Sequence, residues 1–271
     1  MPELPEVETT RRGILPLIQG KRVERIITRV ASLRLPLDGP RLNRLRGAKL
    51  VDIDRRAKYL LFRFSAGWLL VHLGMSGSLR FYSRYHPPAA HDHVDIRFSD
   101  GSCLRLRDPR RFGLVLFLED DPMGHALLIR CGPEPFSEEF SGLYLYRLSR
   151  GRRLQVHSFL LDQRIVAGLG NIYVNEALFV SGIDPQRRAG SISRKRYDTL
   201  VQAVRDVLGR ALDAGGTTLR DFRDGVGKPG YFSLRLQVYG RGGEPCPRCL
   251  AILKEGRVHM RSIFYCRRCQ K

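Results

Sequence analysis

From residue 22 to residue 118 the apolar positions come in short runs, punctuated by turn-forming residues such as Ser99-Asp100-Gly101. The runs Val23–Val30, Leu50–Ile53, Tyr59–Phe64, Trp68–Leu73, Ser78–Tyr82, His93–Phe98, Cys103–Leu106 and Leu114–Leu118 have the length and composition of strands. Many short strands with close turns predict a β-sandwich or barrel. Ahead of them Val7, Ile14, Leu15 and Ile18 fall on one face of a helix over 5–18, with Pro5 suited to its first turn. After Gly132-Pro133-Glu134-Pro135 the period changes. Ser137-Glu138-Glu139-Phe140 reads as a helix start, and 157–181 as two helices broken at Gly168-Leu169-Gly170-Asn171. Ser193–Ala214 carries the stripe Leu200, Val201, Val204, Val207, Leu208, Ala211 and Leu212, an ordinary core face closed by Gly215-Gly216. The Gly- and charge-rich stretch 217–231 predicts a loop. The expected class is α+β: an N-terminal β-sandwich domain with a leading helix over 1–131, a hinge at 132–136, a helical domain over 137–236, and a C-terminal hairpin over 237–271.

Charge adds a partner. The 271 residues carry 47 Lys and Arg against 27 Asp and Glu, a formal charge of +20. Residues 1–150 hold 25 basic and 17 acidic side chains and the remainder 22 and 10, so the excess is not a tail. Forty of the basic residues are Arg, which grips phosphate bidentately and stacks on bases. Such a chain points to nucleic acid, and two basic domains could form a cleft for a duplex. Charged residues break every apolar run short of the roughly 18 residues of a membrane helix. Glu3, Glu6 and Glu8 stand where a secretory signal needs positive and then apolar residues, so a cytoplasmic protein is expected.

Four of the six cysteines form Cys246-Pro247-Arg248-Cys249 and, sixteen residues on, Cys266-Arg267-Arg268-Cys269. Two Cys-x-x-Cys pairs at this spacing predict one structural, four-thiolate Zn2+ site in preference to disulfides. Cys103 and Cys131 read as core thiols.

The chain opens Met1-Pro2-Glu3-Leu4-Pro5-Glu6. Methionine is normally removed before proline, which would expose a secondary amine. An α-amine titrates near ~7.7–8.0, so part of it is neutral and nucleophilic at physiological pH. Attack of a secondary amine on an electrophilic carbon gives a charged iminium, an electron sink. Glu3 and Glu6 are candidates for acid and base work, although acidic residues ahead of a helix also serve its dipole.

Pro2-Glu3-Leu4-Pro5-Glu6-Val7-Glu8-Thr9 resembles the opening of the formamidopyrimidine-DNA glycosylase family. The likeness continues through Arg56-Ala57-Lys58-Tyr59, His72-Leu73-Gly74-Met75-Ser76-Gly77, His91-Asp92-His93, Asp108-Pro109-Arg110-Arg111-Phe112-Gly113, Leu160-Leu161-Asp162-Gln163, Gly168–Tyr173, Gly215–Thr218, Gly227–Phe232 and Val238–Gly240, up to the cysteine pairs. The resemblance implies a bifunctional repair enzyme acting as a monomer on damaged double-stranded DNA, with a helix–two-turns–helix motif at 157–181. The lesion base is flipped from the stack, Pro2 attacks C1′ and displaces it, and the iminium promotes β- and δ-elimination. By the same resemblance Glu3 assists the base and sugar steps, Glu6 supports the site, and Lys58, His72, Asn171 and Arg261 meet phosphate near the lesion. Met75 and Phe112 wedge the void while Arg110 meets the widowed base. DNA contact extends to His93, Arg111, His157, Lys228 and Tyr231.

Plainer readings stand beside these. Lys58 reads equally as a solvated strand-edge residue or as a rival Schiff-base nucleophile, His72 as a core histidine, and Asn171 as a helix cap. The His91-Asp92-His93 trio is structural rather than metal-binding, since neighbouring strand residues face opposite ways. Three positions depart from the family pattern: His157 where Lys is usual, Gly225-Val226-Gly227 in place of a more polar turn, and Leu250 in place of Gly. The competing functions are an endonuclease VIII-like enzyme for oxidised pyrimidines and a non-catalytic zinc-hairpin DNA binder.

Overall fold

The computed structural model describes residues 2–215 and 236–271. The loop expected at 217–231, with Lys228 and Tyr231, lies outside the described residues. The chain forms two compact units, one running to Ile129 and the other from Arg130 to Asp213 and again from Leu236.

The first unit begins with α1 (Leu4–Ile18). It continues through β1 (Val23–Thr28), α2 (Gly39–Leu42), β2 (Leu50–Arg56), β3 (Tyr59–Phe64), β4 (Gly67–His72), β5 (Ser78–Tyr82), β6 (Asp92–Phe98), β7 (Cys103–Arg107) and β8 (Leu114–Leu118). The strands pair antiparallel into two four-stranded sheets, β1-β6-β7-β5 and β2-β3-β4-β8. One core joins them. Ile26, Leu79, Val94, Ile96 and Leu104 come from the first sheet, and Ile53, Phe62, Leu69, Val71 and Phe117 from the second, with Val7, Ile14 and Ile18 of α1. β3 is apolar on both faces: Leu60 and Phe62 enter that core, while Leu61 packs outward with Leu70, Leu114 and Leu128. Its sequence therefore reads as a run and not as an alternation. Truncating the fully buried Phe62 to Ala would cost about 3–5 kcal/mol in lost transfer energy and cavity.

The second unit contains α3 (Gly142–Ser149), α4 (Val156–Leu161), α5 (Asn171–Val180), α6 (Arg194–Asp213) and a hairpin of β9 (Lys254–Val258) and β10 (Arg261–Tyr265). α3 starts later than the sequence predicts. The Ser137 hydroxyl donates to Glu134 O at 2.9 Å within a turn, and Ser141 caps the helix by accepting from Tyr144 N at 3.2 Å. Gly142 is required there because a Cβ would collide with Asp198 of α6. α6 buries Leu200, Val201, Val204, Val207, Leu208 and Ala211 of its predicted stripe, leaves Leu212 half-buried, and adds Tyr197 and Ala203. Between α4 and α5, Gln163 ties the double turn together. Its Oε1 accepts from Gly168 N and its Nε2 donates to Leu169 O, both at 2.8 Å. Among the described residues no helix is long and apolar enough to cross a membrane.

Candidate functional site

Pro2 and Glu3 are buried at the head of α1. The helix start is held by its own first turn. Glu6 Oε2 accepts from Glu3 N at 2.8 Å, the reach-back bond of a capping box, and Thr10 Oγ1 donates to Glu6 O. One turn on, Glu8 meets Arg11, Arg12 and Arg55. Burial pushes the Glu8 carboxyl up, but the bonds from Arg11 and Arg12 outweigh it and hold the group below the usual carboxylate range. Arg55 also donates to Ala57 O at 2.9 Å. One guanidinium thus joins the first turns of α1 to the β2–β3 turn that carries Lys58.

That turn is strained. Arg56 pairs with Tyr59, so Ala57 and Lys58 form a two-residue loop, and Ala57 sits at φ +53°. A left-handed alanine costs roughly 1–2 kcal/mol. The conformation sets Lys58, which is 6% exposed, at the end of the sheet. Across the β3–β4 ladder Tyr59 lies opposite His72, with ring centroids 4.8 Å apart. His72 Nδ1 accepts from Gly74 N at 2.9 Å, so Nε2 carries the ring proton. Burial, with the charges of Lys58 and Arg34, pushes its pKa down to about 4. At neutral pH His72 is an uncharged donor beside the Lys58 ammonium, suited to a phosphate oxygen.

Met75 is half-buried on the β4–β5 loop, while Arg110, Arg111 and Phe112 are exposed on the β7–β8 loop. Phe112 is 47% exposed, the Arg110 guanidinium lies 5.1 Å from its ring centroid, and Arg111 sits at φ +56°. An aromatic ring and a cation on a projecting loop have the form of a tip. His93 behaves differently. Its ring is buried, its Nε2–H donates to Asp108 O at 3.0 Å, and burial holds its pKa below the usual range. His93 therefore stands behind the tip as a neutral prop, and contact with DNA is not its evident role.

In the second unit His157 is fully buried in α4 and its Nε2–H donates to Asn171 Oδ1 at 2.8 Å. Its Nδ1 has no hydrogen-bond partner among the described residues. Burial, aided by Arg261 and His259 and opposed by the Asn171 bond, pushes its pKa down to about 4. Asn171 passes the connection on, its Nδ2 donating to Ser262 O at 2.9 Å. Asn175 adds a second tie, accepting from Phe264 N and donating to Asn171 O. The strand that begins with the exposed Arg261 is thus pinned to the start of α5. Asn171 is not the helix cap that the sequence also allowed, since Gly170 holds the N-cap position and the Asn171 side chain bonds His157 and Ser262 instead. Asn175 was not visible as a site residue because Asn inside a helix carries no pattern of its own.

The four thiols Cys246, Cys249, Cys266 and Cys269 lie within 4.8 Å of one another. Cys246 and Cys269 Sγ are 3.9 Å apart, and Cys249 and Cys266 Sγ 3.5 Å. Tetrahedral Zn–S bonds of about 2.3 Å require sulfur–sulfur edges of about 3.8 Å, so the set fits zinc. Arg248, between the first two, donates to Phe179 O and Val180 O at the end of α5. Glu176 of α5 accepts from the backbone N–H groups of Gln237, Val238 and Tyr239. The hairpin is fastened to one helix at both ends.

Residues 1–115 match the model of the formamidopyrimidine-DNA glycosylase N-terminal domain, and residues 131–223 that of the formamidopyrimidine-DNA glycosylase H2TH domain. Proteins named formamidopyrimidine-DNA glycosylase from Syntrophotalea carbinolica and Stutzerimonas stutzeri are 55% and 54% identical to it, over all of both chains. Among solved structures, the MutM (Fpg) protein of Thermus thermophilus aligns with TM-score 0.88 at 37% identity, covering 99% of this chain and 98% of that one. Lactococcus lactis Fpg bound to DNA with an abasic site aligns with TM-score 0.91 at 33% identity, covering 99% of each. On the strength of both domain models and of relatives matched along their whole length, the chain belongs to the formamidopyrimidine-DNA glycosylase family.

Proposed function

We propose that the protein excises oxidised purines from duplex DNA and then cleaves the abasic strand, with Pro2 as the nucleophile. The observation that carries this reading is the Pro2-Glu3 pair, buried and held at the head of α1 instead of fraying. Relatives support the substrate class: an L. lactis Fpg structure contains DNA with N7-benzyl-Fapy-dG, and a MutM structure contains carbocyclic 8-oxo-G. Once Met1 is removed, the Pro2 nitrogen forms a bond to C1′ as the C1′–base bond breaks, and a proton accompanies the base. Glu3 supplies one proton to the base, then takes up the N–H proton that the Pro2 nitrogen gives up and passes it to the sugar oxygen as the C1′–O4′ bond opens to the iminium. The resulting iminium withdraws electrons from C2′, whose proton leaves as the 3′ phosphate is expelled, and a second elimination expels the 5′ phosphate.

Glu6 holds the helix start. Lys58, neutral His72, Asn171 and Arg261 bind phosphates flanking the lesion. Met75 and Phe112 fill the vacated stack, and Arg110 hydrogen-bonds the widowed base, with Arg111 on the adjoining backbone. One zinc held by the four thiolates supplies rigidity to the hairpin that mounts Arg261. Lys228, Tyr231 and the Gly225-Val226-Gly227 departure belong to the damaged-base side of this reading. His157, at the position where Lys is usual, is fully buried against Asn171 and acts there as a support and not as the DNA contact expected of it. The protein acts as a monomer in the cytoplasm. The hinge expected at 132–136 stands just inside the second unit, which begins at Arg130.

The test is borohydride trapping on duplexes carrying 8-oxoguanine or thymine glycol, followed by peptide mapping of the adduct. An adduct on Pro2, with faster cutting of 8-oxoguanine, is expected; Pro2→Gly should cut at least about a hundredfold more slowly. An adduct on Lys58 overturns the nucleophile, and faster cutting of thymine glycol overturns the substrate class.

A further inference from the structure

Two loops of the first unit carry the proposed wedge. Leu73–Gly77 joins β4 to β5 and holds Met75, and Asp108–Gly113 joins β7 to β8 and holds Arg110 and Phe112. They meet at one fully buried carboxylate. Asp108 Oδ1 accepts from Ser76 Oγ at 2.8 Å, and Oδ2 from Gly113 N at 2.7 Å. Ser76 Oγ in turn accepts from Arg110 N at 3.2 Å. The backbone of Asp108 is fixed from behind: its N–H donates to His91 O and its carbonyl accepts from His93 Nε2, both at 3.0 Å. Packing closes the joint. Gly74, at φ +65°, lies so near Phe112 that a Cβ would collide with it, and a Cβ on Gly113 would stand 2.9 Å from Asp108 Oδ2.

The tip itself is exposed, so apolar packing at its end does not orient it. Its direction comes from its stem, where a buried carboxylate keeps its charge-assisted bonds because leaving them unmade is expensive. We infer that Asp108, through Ser76, is a positioning residue that locks both loops in one register, so that Met75 and the Arg110–Phe112 tip enter the duplex as one piece. This rests on the wedge role proposed above. A rigid piece fixes where Arg110 meets the opposite base. Loosening it therefore affects duplex entry and opposite-base choice, and spares the chemistry at Pro2.

The experiment uses full-length, zinc-loaded wild type, Ser76→Ala and Asp108→Asn. Single-turnover cutting is measured on duplexes with 8-oxoguanine opposite each of the four bases. Borohydride trapping is measured on an abasic site in single-stranded DNA, which has no opposite base and no stack to part. Both variants are expected to cut the duplexes roughly ten- to a hundredfold more slowly, the loss of one or two bonds to a charged group. The spread of rates among the four opposite bases should narrow, with single-strand trapping unchanged. If Asp108→Asn fails to fold, Ser76→Ala, at a half-buried hydroxyl, carries the same test. Wild-type rates and spread in the variants overturn the inference alone, as does an equal loss on duplex and single strand. A wild type inert on 8-oxoguanine overturns the function reading and this inference with it.

Discussion

At the scale of single residues, His72 and His157 are folded as neutral imidazoles, each with a pKa pushed down to about 4, chiefly by burial. An unfolded histidine takes up its proton near pH 6.5, whereas these do so only near 4. Between those values the unfolded state binds more protons, so stability is whole above pH 6.5 and falls as pH drops toward 4. For fully buried His157 the loss amounts to about 3 kcal/mol over that window. His157→Gln keeps a side-chain donor for Asn171 and cannot titrate. The melting temperature of that variant should fall less steeply than wild type from pH 6.5 to 4, and an unchanged slope would show that His157 is accessible to protons when folded. Pro2, Glu3, Lys58, His72 and Arg110 could be singled out as candidates from the sequence because each sits in a short contiguous motif. Asp108 and Ser76 were quoted only as letters of such motifs. Their hydrogen bond spans thirty-two residues, and no spacing along a chain announces it.

Among the elements, Tyr59–Phe64, Ser78–Tyr82 and Leu114–Leu118 were read to the residue because turns bound them on both sides, whereas β2 runs three residues past the expected Leu50–Ile53 through charged Asp54, Arg55 and Arg56, and β1 stops two short of Val30. The start of α3 was misplaced because Ser137 and Ser141 both offer caps, and only the close approach of Gly142 to Asp198 selects the second. The attachment of the zinc hairpin to α5 was also invisible: Glu176 sits in a buried apolar helix, and its partners are backbone amides sixty-one to sixty-three residues away. Those three bonds give a second prediction. Glu176→Ala leaves the buried N–H of Val238 and the half-buried ones of Gln237 and Tyr239 without this acceptor and should cost about 3 kcal/mol. Glu176→Gln keeps one acceptor oxygen and should cost less. Thermal melts rank the variants, and hydrogen exchange should speed at Val238 first. If exchange stays slow there, the ties through Asn171, Asn175 and Arg248 hold the hairpin without Glu176.

For the whole molecule the question is how much of the +20 charge serves a partner. Some of it does not. Arg105 is buried among Asp92, Asp95 and the carbonyls of His86 and Pro87, and Arg29 joins the same cluster through Asp95. Those cations are structural, and composition could not tell them from exposed Arg110 or Arg261. Exposed cations that meet a duplex would act through phosphate neutralisation, which releases counterions and makes affinity fall with salt. With about six phosphate contacts, affinity for a damaged duplex should drop on the order of a thousandfold between 50 and 200 mM salt. The two exposed arginines separate the kinds of contact. If Arg261 meets a phosphate as proposed, the slope of log affinity against log salt for Arg261→Ala should become shallower by about one. If Arg110 meets the widowed base as proposed, Arg110→Ala should flatten opposite-base preference by roughly 1–3 kcal/mol while leaving the slope as it was. Equilibrium titrations of the three proteins across salt decide it: an Arg110→Ala slope shifted like that of Arg261→Ala would put Arg110 on the backbone, and a flat wild-type response would mean that the surplus charge is not an interface.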